Sequence, residues 1–318
     1  MTTTPPWRCL TRRAVALRVC LLVIGVLVAA CGSSSASPVQ SNDDAAPMVV
    51  ATTTILGDVA TQVAGDAADV TVLLPVGADP HSFEPSAQQQ AQLLDADLIV
   101  ANGGGLEASL DRPLAEAADG GVPVFTAIDH VEPHTFADDG DGTVDPHFWM
   151  DPVRMAAVAR ALSGQLGELG VDADRLRQQG DAYATQLEDL DVELSELLAD
   201  VPDDRRTLVT NHDAFGYFAE RYDFRVVGTV IPGVATGAEP SAQDLEALVR
   251  TLERERVTAV FTETIAADDM ARTLAQEVGS HVEVVALYSG SLDEPGSGAA
   301  TYQDMLRTDA RRIRDALS

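Results

Sequence analysis

Short apolar segments alternate with helical segments along most of this chain of 318 residues. This alternation favours a parallel sheet covered by helices, because neighbouring parallel strands must be joined by a crossover. The apolar segments predict strands at 49–54, 70–74, 98–100 and 122–126, and again at 207–210, 225–230, 258–262 and 282–287. The sequence therefore predicts an α/β protein with two lobes, each a roughly four-stranded parallel sheet with flanking helices.

A long helical stretch separates the two groups of strands. It runs from Asp172 to Ala199 without a proline. Its large apolar residues recur at helical spacing: Leu176, Tyr183, Leu187, Leu190, Leu194 and Leu197. A helix of this length can form one wall of a domain, or it can be a rigid strut between two domains.

The first residues have the composition of a secretion signal. Four arginines precede a short apolar run at 21–30, and the small residues Ala29 and Ala30 precede Cys31. This junction resembles a bacterial lipobox, in which the cysteine carries the lipid. We predict a signal peptide at 1–30, a flexible tether at 31–47 that starts from lipidated Cys31, and anchoring at the outer face of the cell membrane. The alternative is an ordinary signal peptide with an incidental cysteine.

Charge and cysteine content limit the chemistry of the folded body. The formal net charge is −29, which repels nucleic acid and attracts cations, although acidity also serves solubility. The chain has three cysteines, and Cys9, Cys20 and Cys31 all lie within the predicted signal peptide and anchor. A metal site in the body must therefore use His, Asp and Glu.

Three histidines lie in distinctive contexts. His81 and His147 each end an Asp-Pro-His tripeptide, and His212 follows the predicted strand 207–210. Ligand sites in parallel sheets form beyond the carboxyl ends of strands. Neutral imidazole is a common ligand of zinc, so the three rings could share one ion in the folded protein. Taken singly, each histidine could instead make a loop hydrogen bond or cap a helix.

The three histidine segments resemble those of a known family. Residues 75–86, 145–152 and 211–222 are similar, in the same order, to the histidine motifs of the zinc- and manganese-binding solute-binding lipoproteins of bacterial metal ABC importers, in particular the zinc-type members of cluster A-I. The resemblance extends from about Val49 to the end of the chain. It implies lobes at 48–171 and 201–318 joined by a rigid linking helix at 172–200, with a metal between the lobes on His81, His147 and His212.

The identity of the metal and of its fourth ligand is predicted less directly than the three histidines. Three imidazoles favour zinc over manganese, which prefers oxygen ligands. Many family members supply an aspartate after the last strand, where this chain has Gly290. The fourth ligand of the metal is then water, Glu263 or Asp293. Alternatively, Glu263 supports a ligating imidazole through a hydrogen bond.

A polar segment before the second Asp-Pro-His lies where zinc-type members have a mobile loop. Its candidate metal-recruiting residues are His130, His134, Asp138, Asp139 and Asp141. The alternative is a solvated acidic loop.

The resemblance implies a monomeric, non-enzymatic receptor outside the cytoplasm. It would capture zinc, or less favourably manganese, and deliver the ion to a membrane permease driven by a cytoplasmic ATPase. Two other functions use the same residues. One is a zinc hydrolase with three histidines and an open water position. The other is an adhesin or zinc chaperone on the same fold.

Overall fold

The computed structural model of the protein describes residues 46–136, 142–231, 236, 240–279 and 281–318. The predicted signal peptide, Cys31 and nearly all of the predicted tether lie outside these ranges. None of the helices in the described ranges combines the length and the apolar composition that a membrane-spanning segment needs.

Two parallel sheets of four strands each are present in the described ranges. The first contains β1 (Met48–Ala51), β2 (Asp69–Val72), β3 (Leu98–Ala101) and β4 (Val124–Thr126) in the order β2-β1-β3-β4. The second contains β5 (Thr207–Thr210), β6 (Arg225–Thr229), β7 (Ala259–Glu263) and β8 (Glu283–Leu287) in the order β6-β5-β7-β8. The two lobes therefore repeat one topology, and the predicted fold class is confirmed.

Nine α-helices accompany these strands in the part of the chain that the structure describes. They are α1 (Thr54–Ala64), α2 (Ala87–Leu94), α3 (Asp111–Asp119), α4 (Pro152–Gly167), α5 (Ala173–Leu198), α6 (Gly216–Arg221), α7 (Ala242–Glu255), α8 (Asp269–Val278) and α9 (Tyr302–Leu317).

Helix caps explain where the first strand ends. The strand predicted at 49–54 stops at Ala51, because Thr53 caps α1 by accepting a hydrogen bond from the Leu56 amide at 3.2 Å. Helix α7 begins with a capping box. The Ser241 Oγ accepts from the Asp244 amide, and the Asp244 carboxylate accepts from the Ser241 amide.

Helix α5 joins the lobes and would be about 39 Å long at the ideal rise per residue. On the first-lobe side it pairs with α4 through Arg160 and Glu188. On the second-lobe side Glu193 pairs with Arg307 of α9 at 2.8 Å. Its apolar stripe is buried as predicted up to Leu194, and it then continues through Leu198 while Leu197 is only half-buried.

One hydrophobic cluster is shared by both lobes. It runs from Val49 in β1 through Leu187 in α5 to Leu208 in β5 and Ile313 in α9. Alternate residues of the central strands point to the opposite faces, where Val50 and Val260 belong to two smaller clusters. Both sheets are thus covered on two sides, as parallel sheets require.

Helices α4 and α5 cross closely at Gly180. A Cβ atom there would lie 2.5 Å from Ser163 Cβ and 3.2 Å from the Ala159 carbonyl oxygen. We expect Gly180→Val to lower the free energy of unfolding by about 1–3 kcal/mol through overpacking, as measured by urea unfolding. The control is Gly164→Ala on α4, where a Cβ would have no atom within 4 Å. It should be neutral or stabilise by up to about 1 kcal/mol. Equal effects of the two changes would contradict this account of the crossing.

A buried carboxylate in α9 should make stability depend on pH. Asp309 is fully buried, and its Oδ1 accepts from the Tyr288 amide at 2.9 Å. Burial raises the pKa of Asp309 well above its usual value. The folded protein therefore holds this proton more tightly than the unfolded chain, so the contribution to stability is full below about pH 4 and is lost as the pH rises.

The variant Asp309→Asn removes this titration. At pH 4 its free energy of unfolding should be close to that of the parent protein. At pH 8 it should exceed that of the parent protein by more than about 1 kcal/mol. Chemical unfolding at both pH values measures the difference. A variant that is less stable at pH 8 would show that the carboxylate is needed in its charged form.

Candidate metal centre

The three histidines of the sequence motifs meet between the lobes. His81 lies in the loop between β2 and α2, His147 precedes a short turn of 3₁₀-helix that leads into α4, and His212 follows β5. Their ring nitrogens form a group in which all three candidate ligand atoms lie within 4.8 Å of one another. His147 and His212 are buried, whereas His81 is partly exposed. Among the described residues, this is the one such group of His, Cys, Asp or Glu.

Each Asp-Pro-His tripeptide holds its histidine by the aspartate. Asp79 Oδ1 accepts from the His81 amide at 2.9 Å, and Asp145 Oδ1 accepts from the His147 amide at 3.0 Å. Asp145 Oδ1 also lies 2.7 Å from Nδ1 of the His147 ring. The repeated tripeptide is thus a local turn that directs an imidazole, as Asx turns do.

Glu263 has the corresponding place behind His212. Its Oε1 lies 2.5 Å from Nδ1 of His212, and its Oε2 accepts from Ser289 Oγ at 2.5 Å. Both carboxylate oxygens are therefore engaged on the side of the ring opposite Nε2.

The carboxylates fix which ring nitrogens are free to bind. An ionised carboxylate only accepts hydrogen bonds, so Nδ1 of His147 and of His212 carry the protons and each Nε2 presents a lone pair. Nε2 of His147 lies 3.2 Å from Nε2 of His81 and 3.2 Å from Nε2 of His212. Nitrogens on one tetrahedral zinc at the usual bond lengths are about 3.4 Å apart. The geometry suits a shared cation at this point.

Burial and mutual proximity keep two of the rings neutral. Burial, reinforced by His147 and His212, lowers the pKa of His81 to about 4. Burial also holds the pKa of His147 well below its usual value. At neutral pH neither ring has to lose a proton before it binds a metal.

His212 differs from the other two rings. Burial alone would lower its pKa, but the hydrogen bond and the charge of Glu263 outweigh burial and raise it. A metal at Nε2 of His212 therefore competes with protonation of that nitrogen, and this competition strengthens as the pH falls.

Gly290, which stands where many family members supply an aspartate, is closely packed. A Cβ at Gly290 would lie 3.0 Å from Pro80 Cδ and 2.9 Å from Ile265 Cδ1. The position therefore has no room for a carboxylate unless Pro80 or Ile265 moves. Asp293 is engaged elsewhere, because its Oδ2 accepts from the Tyr288 hydroxyl at 3.1 Å.

Of the candidate recruiting residues, the two that the structure describes, His130 and His134, have other partners than the three imidazoles. His130 stacks on Phe125 with ring centroids 4.5 Å apart. His134 stacks on Tyr217 of α6, and its Nε2 contacts Glu220 at 2.6 Å and Arg154 at 3.0 Å. His134 thus belongs to a contact between the lobes. The other three candidates, Asp138, Asp139 and Asp141, lie outside the described residues.

Several contacts around the site were missed from the sequence. The Tyr217 hydroxyl donates to the Asp145 carbonyl oxygen at 2.8 Å and accepts from the His134 amide at 2.9 Å. Trp149 Nε1 donates to the Ser289 carbonyl oxygen at 2.7 Å. The one available signal was the aspartate two residues before His81 and before His147, which predicts a turn at each of these two points.

Comparison with known proteins gives concordant matches. A family model described as "ZnuA: Zinc-uptake complex component A periplasmic" matches residues 49–316. The manganese-binding lipoprotein MntA of Halalkalibacterium halodurans is 29% identical over 301 residues, which cover 94% of this chain and 97% of that protein. The high-affinity zinc uptake system protein ZnuA of Bacillus subtilis is 30% identical over 306 residues, which cover 92% of this chain and 94% of that protein. Among solved structures, the periplasmic zinc binding protein TroA from Treponema pallidum matches with a TM-score of 0.79 and 29% identity, over 86% of this chain and 99% of TroA.

Proposed function

Because the chain belongs to the ZnuA family of periplasmic zinc-uptake components, we propose that it is the extracytoplasmic metal-binding receptor of an ABC importer and that His81, His147 and His212 bind its cargo ion. The observation that carries the proposal is the convergence of three Nε2 atoms, with two of them 3.2 Å from the Nε2 of His147. The chemistry required is coordination and release.

Zinc is the cargo that the ligand set favours. Imidazole nitrogens suit zinc, whereas manganese prefers sites rich in oxygen. The two carboxylates behind the rings, Asp145 and Glu263, offset the charge of a divalent ion without binding it. With Glu263 engaged by His212 and Ser289, water is the fourth ligand that we propose. The similar proteins include both manganese- and zinc-binding members, so the choice rests on the donor atoms of this chain.

Calorimetric titration of the metal-free protein with zinc and then with manganese tests the binding proposal. We expect one ion per chain and tighter binding of zinc. Zinc outcompetes manganese at most sites, so affinity in vitro does not identify the ion that the protein binds in cells. Anomalous scattering at the zinc and manganese absorption edges, from crystals of protein loaded with metal during cell growth, should identify that ion. Titrations without binding of either ion would refute the proposal.

The partner and the location follow from the same assignment. We propose that the ion passes to a membrane permease with a cytoplasmic ATPase, and that Cys31 anchors a monomeric receptor at the outer face of the cell membrane. Labelling with a fatty acid that is lost in Cys31→Ala, together with release of that variant into the medium, supports the anchor. An unlabelled parent protein excludes it.

The contacts of Glu263 argue against a hydrolase. A general base needs a free oxygen within reach of the metal-bound water. Both oxygens of Glu263 already have partners. Turnover of model esters that disappears in His81→Ala would revive the enzymatic alternative. An adjacent permease and ATPase in the genome would favour import over an adhesin or a chaperone.

A further inference from the structure

A buried chain of hydrogen bonds connects His147 and His212 on the side away from their Nε2 atoms. Trp149, two residues after His147, donates from Nε1 to the Ser289 carbonyl oxygen at 2.7 Å. The Ser289 hydroxyl donates to Glu263 Oε2 at 2.5 Å, and Glu263 Oε1 meets Nδ1 of His212. Trp149, Ser289 and Glu263 are each no more than 3% exposed.

Ser289 connects the two halves of this series of hydrogen bonds. Its backbone contacts the segment that carries His147, and its side chain contacts the carboxylate that holds His212. Among the described residues, Ser289 Oγ is the one hydrogen-bond partner of Glu263 Oε2. Without that hydroxyl, a buried carboxylate oxygen would lose its partner and the carboxylate could turn away from the ring.

His81 is held differently. Its loop reaches the second lobe through the Gly77 amide, which donates to Ser291 Oγ at 2.9 Å, and through Asp79, which accepts from Thr236 Oγ at 2.6 Å. Neither contact involves Ser289 or Glu263. Of the three rings, the ring of His81 is also the most exposed.

We propose that Ser289 is a positioning residue that fixes His147 and His212 relative to each other as one preset pair, whereas His81 is held through separate contacts. The inference rests on the proposed metal binding and deepens it. A metal ion accepts only a narrow range of ligand separations. A pair that is already set therefore contributes affinity without further ordering when the ion arrives.

A double-mutant cycle tests the pairing, with cobalt as a spectroscopic probe at concentrations up to the millimolar range. Ser289→Ala should weaken binding about 10-fold, at the lower end of the effect of removing an outer hydrogen-bond partner. In a His81→Ala background the same change should again cost about 10-fold, because the pair is intact. In a His212→Ala background it should cost less than about twofold, because the ring through which Ser289 acts is gone.

The cobalt absorption bands supply a readout that a loss of stability would not change. They should shift in Ser289→Ala relative to the parent protein, because the ligand geometry changes. Thr262→Val is the matched control. It removes a neighbouring buried hydroxyl that has no hydrogen-bond partner in the described part of the chain, and it should leave affinity and spectrum unchanged.

Two results would overturn the proposal. One is an equal loss of affinity from Ser289→Ala with and without His212, which would mean that the residue acts through general stability. The other is an unchanged affinity and spectrum in Ser289→Ala. A parent protein that binds neither zinc nor cobalt would instead refute the proposed function itself, so the two failures are distinguishable.

Discussion

Replacing His147 by alanine is expected to lower the affinity for zinc by more than about 100-fold, because even the outer partners of metal ligands are worth 10–100-fold. His147 is the central ring of the group. Its Nε2 is 3.2 Å from the Nε2 of His81 and from that of His212, so its loss leaves the two remaining nitrogens without their common neighbour. Competition with a chelator of known affinity measures the change.

The same experiment applies to the two outer rings. His81→Ala and His212→Ala should each weaken zinc binding strongly, while His281→Ala, an exposed histidine of the second lobe, should not. Unfolding of each metal-free variant provides the control for folding. If none of the three single replacements weakens binding, the proposal that the three histidines share one ion is wrong.

The second large effect concerns the two carboxylates that contact Nδ1 of His147 and of His212. Asp145→Asn and Glu263→Gln should each lower zinc affinity by about 10–100-fold. Both changes keep the shape of the side chain but remove a negative charge that orients an imidazole and offsets the charge of the ion. Because the two rings are in contact and would share one ion, the two losses should be coupled, and the loss in the double variant should differ from the product of the single losses.

The control for this series is Asp309→Asn, which neutralises another buried carboxylate, whose Oδ1 accepts a hydrogen bond from the Tyr288 amide. It should change stability with pH and leave zinc affinity unchanged. If Asp145→Asn behaved like Asp309→Asn, the carboxylate would matter for folding and not for the imidazole it contacts.

The sequence predicted the elements well because their signals are local. The apolar segments placed the eight strands to within a few residues, and the absence of proline marked α5. The strand predicted at 49–54 includes Thr53 and Thr54, whereas in the structure the hydroxyl of Thr53 caps the following helix. Thr53 caps the helix and does not extend the strand, because its hydroxyl satisfies a backbone amide that the start of the helix leaves without a partner.

The ligands were visible from the sequence, but their supports were not. His81, His147 and His212 stand out by their neighbours along the chain. Trp149 and Ser289 are 140 positions apart, and their contact uses a backbone oxygen that has no signature in the sequence. Glu263 could be placed at the end of a strand, yet only the folded positions of β5 and β7 decide that its carboxylate lies behind His212.

The hydrophobic cluster shared by the two lobes bears on how this protein can change in evolution. Residues of β1, α5, β5 and α9 form one interior, and the last helix also returns to the first lobe, where the Tyr302 amide donates to Asp58. A lobe transplanted from a relative would therefore bring half of an interior that was shaped against other side chains. We expect selectivity in this architecture to be altered by single replacements around the rings, and exchange of whole lobes between relatives to be poorly tolerated.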